Sequence, residues 1–316
     1  MRTLALIVSL LLIGALSSPA QEFKRTATTG FVFLEIPVSA RSAALGEASV
    51  ALSDLGAEGV FVNPAAVGFA PLTHSASFSY SPWFADIAHY SASYAYNAPF
   101  GVIAVSAVVM DYGTMDRYIR VPGSRSFESS GVFSAQSSAF GLTYSRQLTD
   151  RFSFGLSLKY VSETIDSYRA SNVVFDGGVL YYTGFSSLRL AAAIQNFGTD
   201  AKFINDAFKM PAMLRLGVAM EVLGTSASDS RLTALVEAVH PSDASERINV
   251  GLEFAWMRMV VLRGGYKFLY DEESYSVGLG WYGRESLGVP VGVSFSYSSY
   301  GRLGNILRFS LEAGLE

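Results

Sequence analysis

The sequence predicts an all-β protein, a transmembrane antiparallel β-barrel of about fourteen strands with an N-terminal plug segment. Three observations lead there. Large apolar and small or polar residues alternate through many successive runs, the links between those runs alternate in length, and an export signal precedes them with no later stretch approaching the ~18 apolar residues of a membrane helix.

The alternation is clearest where Phe152, Phe154, Leu156, Leu158 and Tyr160 share one parity and Ser153, Gly155, Ser157 and Lys159 the other. Side chains of a strand point alternately to its two faces, so this is a strand with one greasy and one small or polar side. Val289 to Tyr297 and Leu214 to Val222 repeat the pattern. A soluble sandwich would turn the large face into a core, whereas a barrel would turn it to lipid.

From the N-terminus, Arg2, the apolar run Leu4 to Leu16 and Ser18-Pro19-Ala20 before Gln21 read as a signal peptide over residues 1–20. Residues 21–71 have mixed periodicity, with small residues concentrated in 39–51 and a turn at Asn63-Pro64, and form the expected plug. Residues 72–316 form the expected barrel, with runs near 74–81, 88–97, 100–111, 134–147, 152–164, 173–183, 188–197, 212–223, 231–241, 247–256, 259–269, 274–283, 289–299 and 306–315. Each is close to the ~9–11 residues with which a tilted strand crosses a bilayer.

Links such as Asn97-Ala98-Pro99, Thr149-Asp150-Arg151 and Trp256-Met257-Arg258 are short, while 112–133, 165–172 and 197–211 are long; 223–231 is a long link on the short side. Short turns at one rim and long loops at the other characterise outer-membrane barrels, and an even strand number puts both termini in the periplasm. Aromatic residues near strand ends, among them Tyr90, Tyr94, Trp256, Trp281 and Tyr282, read as girdles at the headgroups. Lys159, Arg215, Glu221, Glu253, Arg263, Lys267, Arg308 and Glu312 fall on the opposite parity. On a lipid face near the midplane a charge costs ~2–4 kcal/mol, so these side chains belong to a polar lumen.

The chain of 316 residues is 50% hydrophobic and 16% charged, has a net charge of −4 and contains no cysteine, which excludes a disulfide framework and thiolate chemistry and gives no sign of nucleic-acid binding. His74, His89 and His240 are scattered, so no metal site is expected. Asp271-Glu272-Glu273 reads as a solvated outer tip, and Gly264-Gly265 and Gly278 as residues leaving room inside the barrel. No nucleophile elbow or Cys/His pair is present, so neither catalysis nor a cofactor is expected.

A barrel of about fourteen strands is open unless something fills it. Arg41, a charge within the apolar plug, requires a carboxylate or backbone carbonyls and is expected to tie the plug to the wall or to bind a ligand. Asn63-Pro64 reads as a turn feeding the first strand or as a ligand gate.

The run from Phe33 to Gly46, followed by Ala48 to Asp54 and by Val62-Asn63-Pro64-Ala65-Ala66, resembles the start of the PorV/PorQ family of outer-membrane proteins, nearer to PorQ. That family is similar in turn to FadL-type transporters, whose plug carries a related Asn-Pro-Ala turn. Gln195-Asn196-Phe197-Gly198 and Leu214 to Gly217 extend the resemblance, which spans most of the chain after the signal. Glu47 departs from it where a second glycine is expected, and so does the C-terminus, which has Phe309 and Leu315 in place of a terminal aromatic.

The resemblance implies a non-enzymatic role in type IX secretion, through secretion-complex proteins and the C-terminal signal domains of cargo. Within that reading the 112–133 loop is the expected partner contact, carrying Asp116, Arg117, Tyr118, Arg120, Arg125 and Phe127. The alternative is a FadL-like transporter of hydrophobic small molecules, in which the plug moves and ligand leaves sideways through the wall.

Overall fold

The computed structural model describes residues 28–225, 227–283 and 290–315; the expected signal peptide lies outside them. Fourteen antiparallel strands close into one barrel. In chain order they are β1 (His74–Pro82), β2 (Ala88–Ala98), β3 (Gly101–Arg120), β4 (Phe127–Thr149), β5 (Phe152–Ile165), β6 (Tyr168–Tyr182), β7 (Arg189–Phe197), β10 (Met213–Leu223), β11 (Ser230–Pro241), β12 (Arg247–Trp256), β13 (Val260–Phe268), β14 (Tyr275–Gly283), β15 (Val291–Ser299) and β16 (Asn305–Leu315). A small hairpin, β8 (Ala201–Phe203) and β9 (Asp206–Phe208), sits in the link after β7. Each barrel strand pairs with its sequence neighbours, and β1 closes on β16 in the register His74↔Leu315 to Tyr80↔Phe309.

The two faces of the wall separate as the alternation requires. In β5, Leu156, Leu158 and Tyr160 are exposed on the outside, while Ser153 and Ser157 are buried within. Phe140, Leu142, Leu216, Val236, Leu252, Leu262, Leu279 and Phe309 continue an exposed apolar belt round the barrel. A belt of that extent on a soluble protein would drive aggregation; in a bilayer it is solvated. The inward charges are in the lumen: Arg308, Glu253, Arg263 and Glu221 are all buried. Trp281 faces outward with the belt, but its neighbour Tyr282 turns inward, where Arg263 Nη2 donates to its hydroxyl at 2.8 Å.

The segment expected to be a long loop, 112–133, is mostly strand. β3 and β4 run past their outer neighbours as a two-stranded ribbon: β3 leaves β2 at Asp111, and β4 leaves β5 at Ala135. Asp116, Arg117, Tyr118 and Arg120 lie on β3, Phe127 begins β4, and only Arg125 is in the turn between them. The register shifts between Asp111 and Thr114 and again between Asp116 and Tyr118, next to Gly113 and Gly131, both at positive φ. Each bulge inverts the parity of the residues beyond it, which hides the strand from a period-of-two reading.

The lumen is filled by residues 28–73. Thr29 bridges Lys209 at the long-loop rim, and the chain descends to β1, whose first residues lie at the short-turn rim. Between them come a 3₁₀ turn (Val32–Glu35), the short helix α1 (Ala40–Ala44), a second short helix α2 (Gly59–Val62) and a 3₁₀ stretch (Pro64–Phe69). The Ser39 side chain caps α1 by accepting from Ser42 N–H, and Asn63 caps the 3₁₀ stretch by accepting from Ala65 N–H.

Candidate functional site

The plug meets the wall where the wall has no side chain. A Cβ at Gly155 would strike the Pro64 backbone, and one at Gly178 would strike Asn63 Oδ1. Higher up, a Cβ at Gly251 or Gly265 would collide with Leu45-Gly46. Gly46 itself has φ +62, and its N–H donates to Ser276 Oγ at 3.0 Å. Asn63 is fully buried and joins the layers, Nδ2 donating to Val50 O at 3.0 Å within the plug and to Val179 O at 3.2 Å on β6.

Charge fixes the opposite side. Arg41 Nε and Nη2 donate to Glu253 Oε2 and Oε1, both at 2.9 Å, and Nη2 also reaches Asp54 Oδ1 at 2.9 Å. Arg263 Nε shares Glu253 Oε2 at 2.8 Å, and Arg231 lies 3.2 Å from Asp54 and 3.3 Å from Glu253. Glu47, at the position where the family resemblance calls for glycine, pairs with Lys267, and its backbone carbonyl accepts from Arg215 at 2.7 Å. Fork-to-carboxylate geometry away from bulk water gives these bonds direction as well as strength.

Two plug carboxyls are pushed upward. Burial, with Glu312 nearby, raises Glu58 to about 8, and burial, with Asp243 nearby, raises Glu35 to about 7. Asp54 moves the other way: desolvation opposes its ionisation, but Arg41 and Arg231 outweigh that and hold it well below the usual carboxylate range.

Between plug and wall, toward the long-loop rim, lies a cavity of about 70 Å³. Phe33, Ile36, Val38 and Phe61 of the plug and Val108 and Met213 of the wall give it an apolar surface, and Lys159, Asn196 and Arg215 a polar one. It borders an irregularity in the wall. The β6–β7 ladder jumps from Phe175↔Phe197 to Gly177↔Ile194, and Asn196 sits at φ +56. Asn196 N–H is satisfied not by the ladder but by Asp176 Oδ1 at 2.7 Å, while Lys159 Nζ contacts Asp176 Oδ2 at 2.7 Å and Asn196 Oδ1 at 2.6 Å. On the lipid side of the same strands Tyr160, Phe175, Phe197 and Gly198 border a groove of about 510 Å³. Asp176 escaped sequence reasoning, although it has the parity of the inward residues of its run and is open to the same inference as Lys159; Asn196 enters there only as part of the Gln195–Gly198 turn.

Of the residues singled out in sequence, Arg41, Gly46, Asn63 and Pro64 are together in the lumen against the wall. The other six are on the ribbon, away from them. Arg117 pairs with Asp166 at 2.5 Å and stacks over Phe133, while Tyr118 and Phe127 are exposed. Among the described residues no group of three or more His, Cys, Asp or Glu side chains is placed to hold a metal ion.

Among solved structures the chain is similar to the toluene transporter TodX of Pseudomonas putida (TM-score 0.57, 13% identity, 86% of this chain and 95% of that one). The fold is shared with outer-membrane channels. The monoaromatic hydrocarbon channel CymD matches with TM-score 0.58 at 12% identity over 90% of this chain and 97% of its own. A FadL homologue of Pseudomonas aeruginosa matches with TM-score 0.54 at 10% identity over 88% and 98%. No protein-family model matches the sequence, and no curated protein matches it. The FadL side of the sequence resemblance thus has structural neighbours, whereas the PorV/PorQ assignment rests on the sequence resemblance alone.

Proposed function

We propose that this barrel admits small hydrophobic molecules across the outer membrane, with the short-turn rim and the end of β16 on the periplasmic side; Thr29 lies at the opposite, long-loop rim, so the expectation of two periplasmic ends is kept for the C-terminal one alone. The observation that carries the reading is the position of the luminal cavity. One wall is the plug segment 33–38, and another is the place where the β6–β7 ladder is interrupted. At about 70 Å³ the cavity is smaller than the ~150 Å³ that takes up benzene. Entry therefore requires the plug segment to move, and the structure corresponds to the closed state. From the cavity the shortest way to lipid is through the interrupted wall into the groove beside Phe175 and Phe197.

The neighbours described as a toluene transporter and as a hydrocarbon channel favour this reading over secretion. The test is uptake of radiolabelled toluene by cells lacking the gene and by cells complemented with it. Faster uptake with the wild-type protein, lost when Phe33→Cys is cross-linked to Val108→Cys to pin the plug, is the expected result. Equal uptake with and without the protein would overturn it. A role in secretion would instead appear as cargo or a secretion-complex protein cross-linked to the ribbon residues Arg120 or Phe127 in whole cells.

A further inference from the structure

Between the luminal cavity and the groove on the lipid side, the wall is closed by polar side chains. Asn196 borders the cavity and Phe197 the groove, and Phe175 of the groove precedes Asp176 in the chain. A molecule that leaves the cavity through the interrupted ladder must pass between Asp176 and Asn196. The side chain that touches both is Lys159.

Other polar groups bordering the cavity hold the plug. Gln195 Nε2 donates to Phe61 O at 2.9 Å and to Val62 O at 3.1 Å, and Arg215 Nη2 donates to Glu47 O at 2.7 Å. Lys159 differs, because both of its partners belong to the wall, Asp176 to β6 and Asn196 to β7. Its bond of 2.6 Å to Asn196 Oδ1 is charge-assisted, so parting the seam without a substitute for that oxygen is costly. A hydrocarbon brings no substitute. A molecule with an acceptor oxygen does, while its apolar body stays against Phe33, Ile36 and Val108. The charge of Lys159 is already matched by Asp176, 2.7 Å away. Exchange of one neutral oxygen for another therefore keeps the balance, whereas a carboxylate would bring a second negative charge up to Asp176 in a water-poor wall.

We propose that Lys159 sets the substrate class of this channel as uncharged hydrophobic molecules with an acceptor oxygen, such as an aryl ketone. The ligand oxygen replaces Asn196 Oδ1 on the ammonium, and the release of Asn196 opens the seam toward Phe175 and Phe197. This rests on the channel reading and narrows it, from hydrophobic molecules in general to those able to make the exchange.

The test compares acetophenone, α-methylstyrene and benzoate, molecules of nearly one shape that carry a ketone oxygen, a methylene group and a carboxylate at the same place. Uptake of each radiolabelled compound is measured in porin-deficient cells lacking the gene and in the same cells complemented with it, and the difference is the protein-dependent rate. The expected result is acetophenone ahead of both others by about tenfold, with acetophenone and α-methylstyrene level in Lys159→Met. Because Lys159→Met leaves Asp176 unpaired and can loosen the seam for every solute, the ratio of rates is read rather than the rates. Lys159→Met combined with Asp176→Asn leaves no charge behind and should give the same level ratio. Equal wild-type rates for acetophenone and α-methylstyrene, benzoate ahead of acetophenone, or a preference that persists in both variants would overturn the inference and leave the channel standing. No protein-dependent uptake of any of the three would overturn the channel reading itself, and the inference with it.

Discussion

Arg41 and Glu253 are 212 positions apart in the chain and meet through two bonds of 2.9 Å. Glu253 is the only carboxylate to which Arg41, Arg263 and Arg231 all pair among the described residues. Replacing Glu253 by Gln therefore leaves Arg41 and Arg231 with Asp54 and takes from Arg263 the carboxylate it pairs with. Breaking a buried pair by removing one partner costs ~3–5 kcal/mol, so Glu253→Gln should lower the urea midpoint in vesicles and loosen the plug. The check is ion conductance in planar bilayers, silent for the wild type and frequent for the variant; a silent variant with unchanged midpoint would refute the role.

The wall glycines predict a contrast within one residue type. Gly178→Val inserts a side chain where Asn63 lies and should displace the plug, whereas Gly264→Ala meets nothing within 4 Å and should leave both stability and plug in place, within about 0.5 kcal/mol. Limited proteolysis of residues 39–71 reads the difference directly, with cleavage in the first variant alone.

Glu58 predicts how plug stability depends on pH. Its folded value of about 8 stands above the ordinary 4.5, so between those values the folded state holds a proton that the unfolded chain has released. The contribution is complete below about pH 4.5 and declines as pH rises toward 8, the sign that linkage requires when the native state binds more protons. Glu312 raises Glu58 further, while Ser39, Arg41 and Arg263 act against that rise. Glu58→Gln should flatten the fall in urea midpoint between pH 5 and 8 and be more stable than wild type at pH 8. An unchanged slope would refute this assignment, with Glu35, raised to about 7, as the other contributor of the same sign.

The ribbon predicts an absence of effect on the barrel. Beyond the pairs Asp111↔Gln136 and Ala135↔Ile165, β3 and β4 have only each other as strand partners among the described residues, with Asp166 alone reaching them from outside, through Ser134 O and Arg117. Replacing residues 114–132 by a tight turn should leave the barrel's heat-modifiable migration on gels intact. Loss of that migration would mean that the ribbon supports the barrel, contrary to its pairing.

The seam at Asp176 predicts a leak of another kind. Asp176→Asn keeps an acceptor for Asn196 N–H but removes the charge that faces Lys159. Toluene uptake through the variant should change severalfold while the ion conductance expected of Glu253→Gln stays absent; the reverse pattern would place the weak point at the plug.

Strand identity was open to reading from sequence because the bilayer punishes misplaced side chains on one face, and Leu156, Leu158 and Lys159 obey that rule residue by residue. By the same rule Arg215, Glu221 and Arg263 belong inside, where they are found. Alternation misleads over 112–133, where two bulges shift the parity and Gly113, Gly123 and Gly131 imitate loop punctuation. Composition misleads at Tyr282, a girdle residue by type whose inward parity decides its place. In the site, Arg41 declared that it needed a carboxylate but not which one. The choice of Glu253 among the inward acids depends on strand stagger round a closed barrel, which no local pattern encodes.

The seam between β1 and β16 joins His74 to Leu315, so the first and last barrel strands of the described residues complete the cylinder. The plug precedes β1, yet it packs against β13, β14, β15 and β16 as well as against β5 and β6. Those 46 residues (28–73) therefore link both halves of the wall from within, so that the plug acts as an internal tie that resists any change in the barrel's girth.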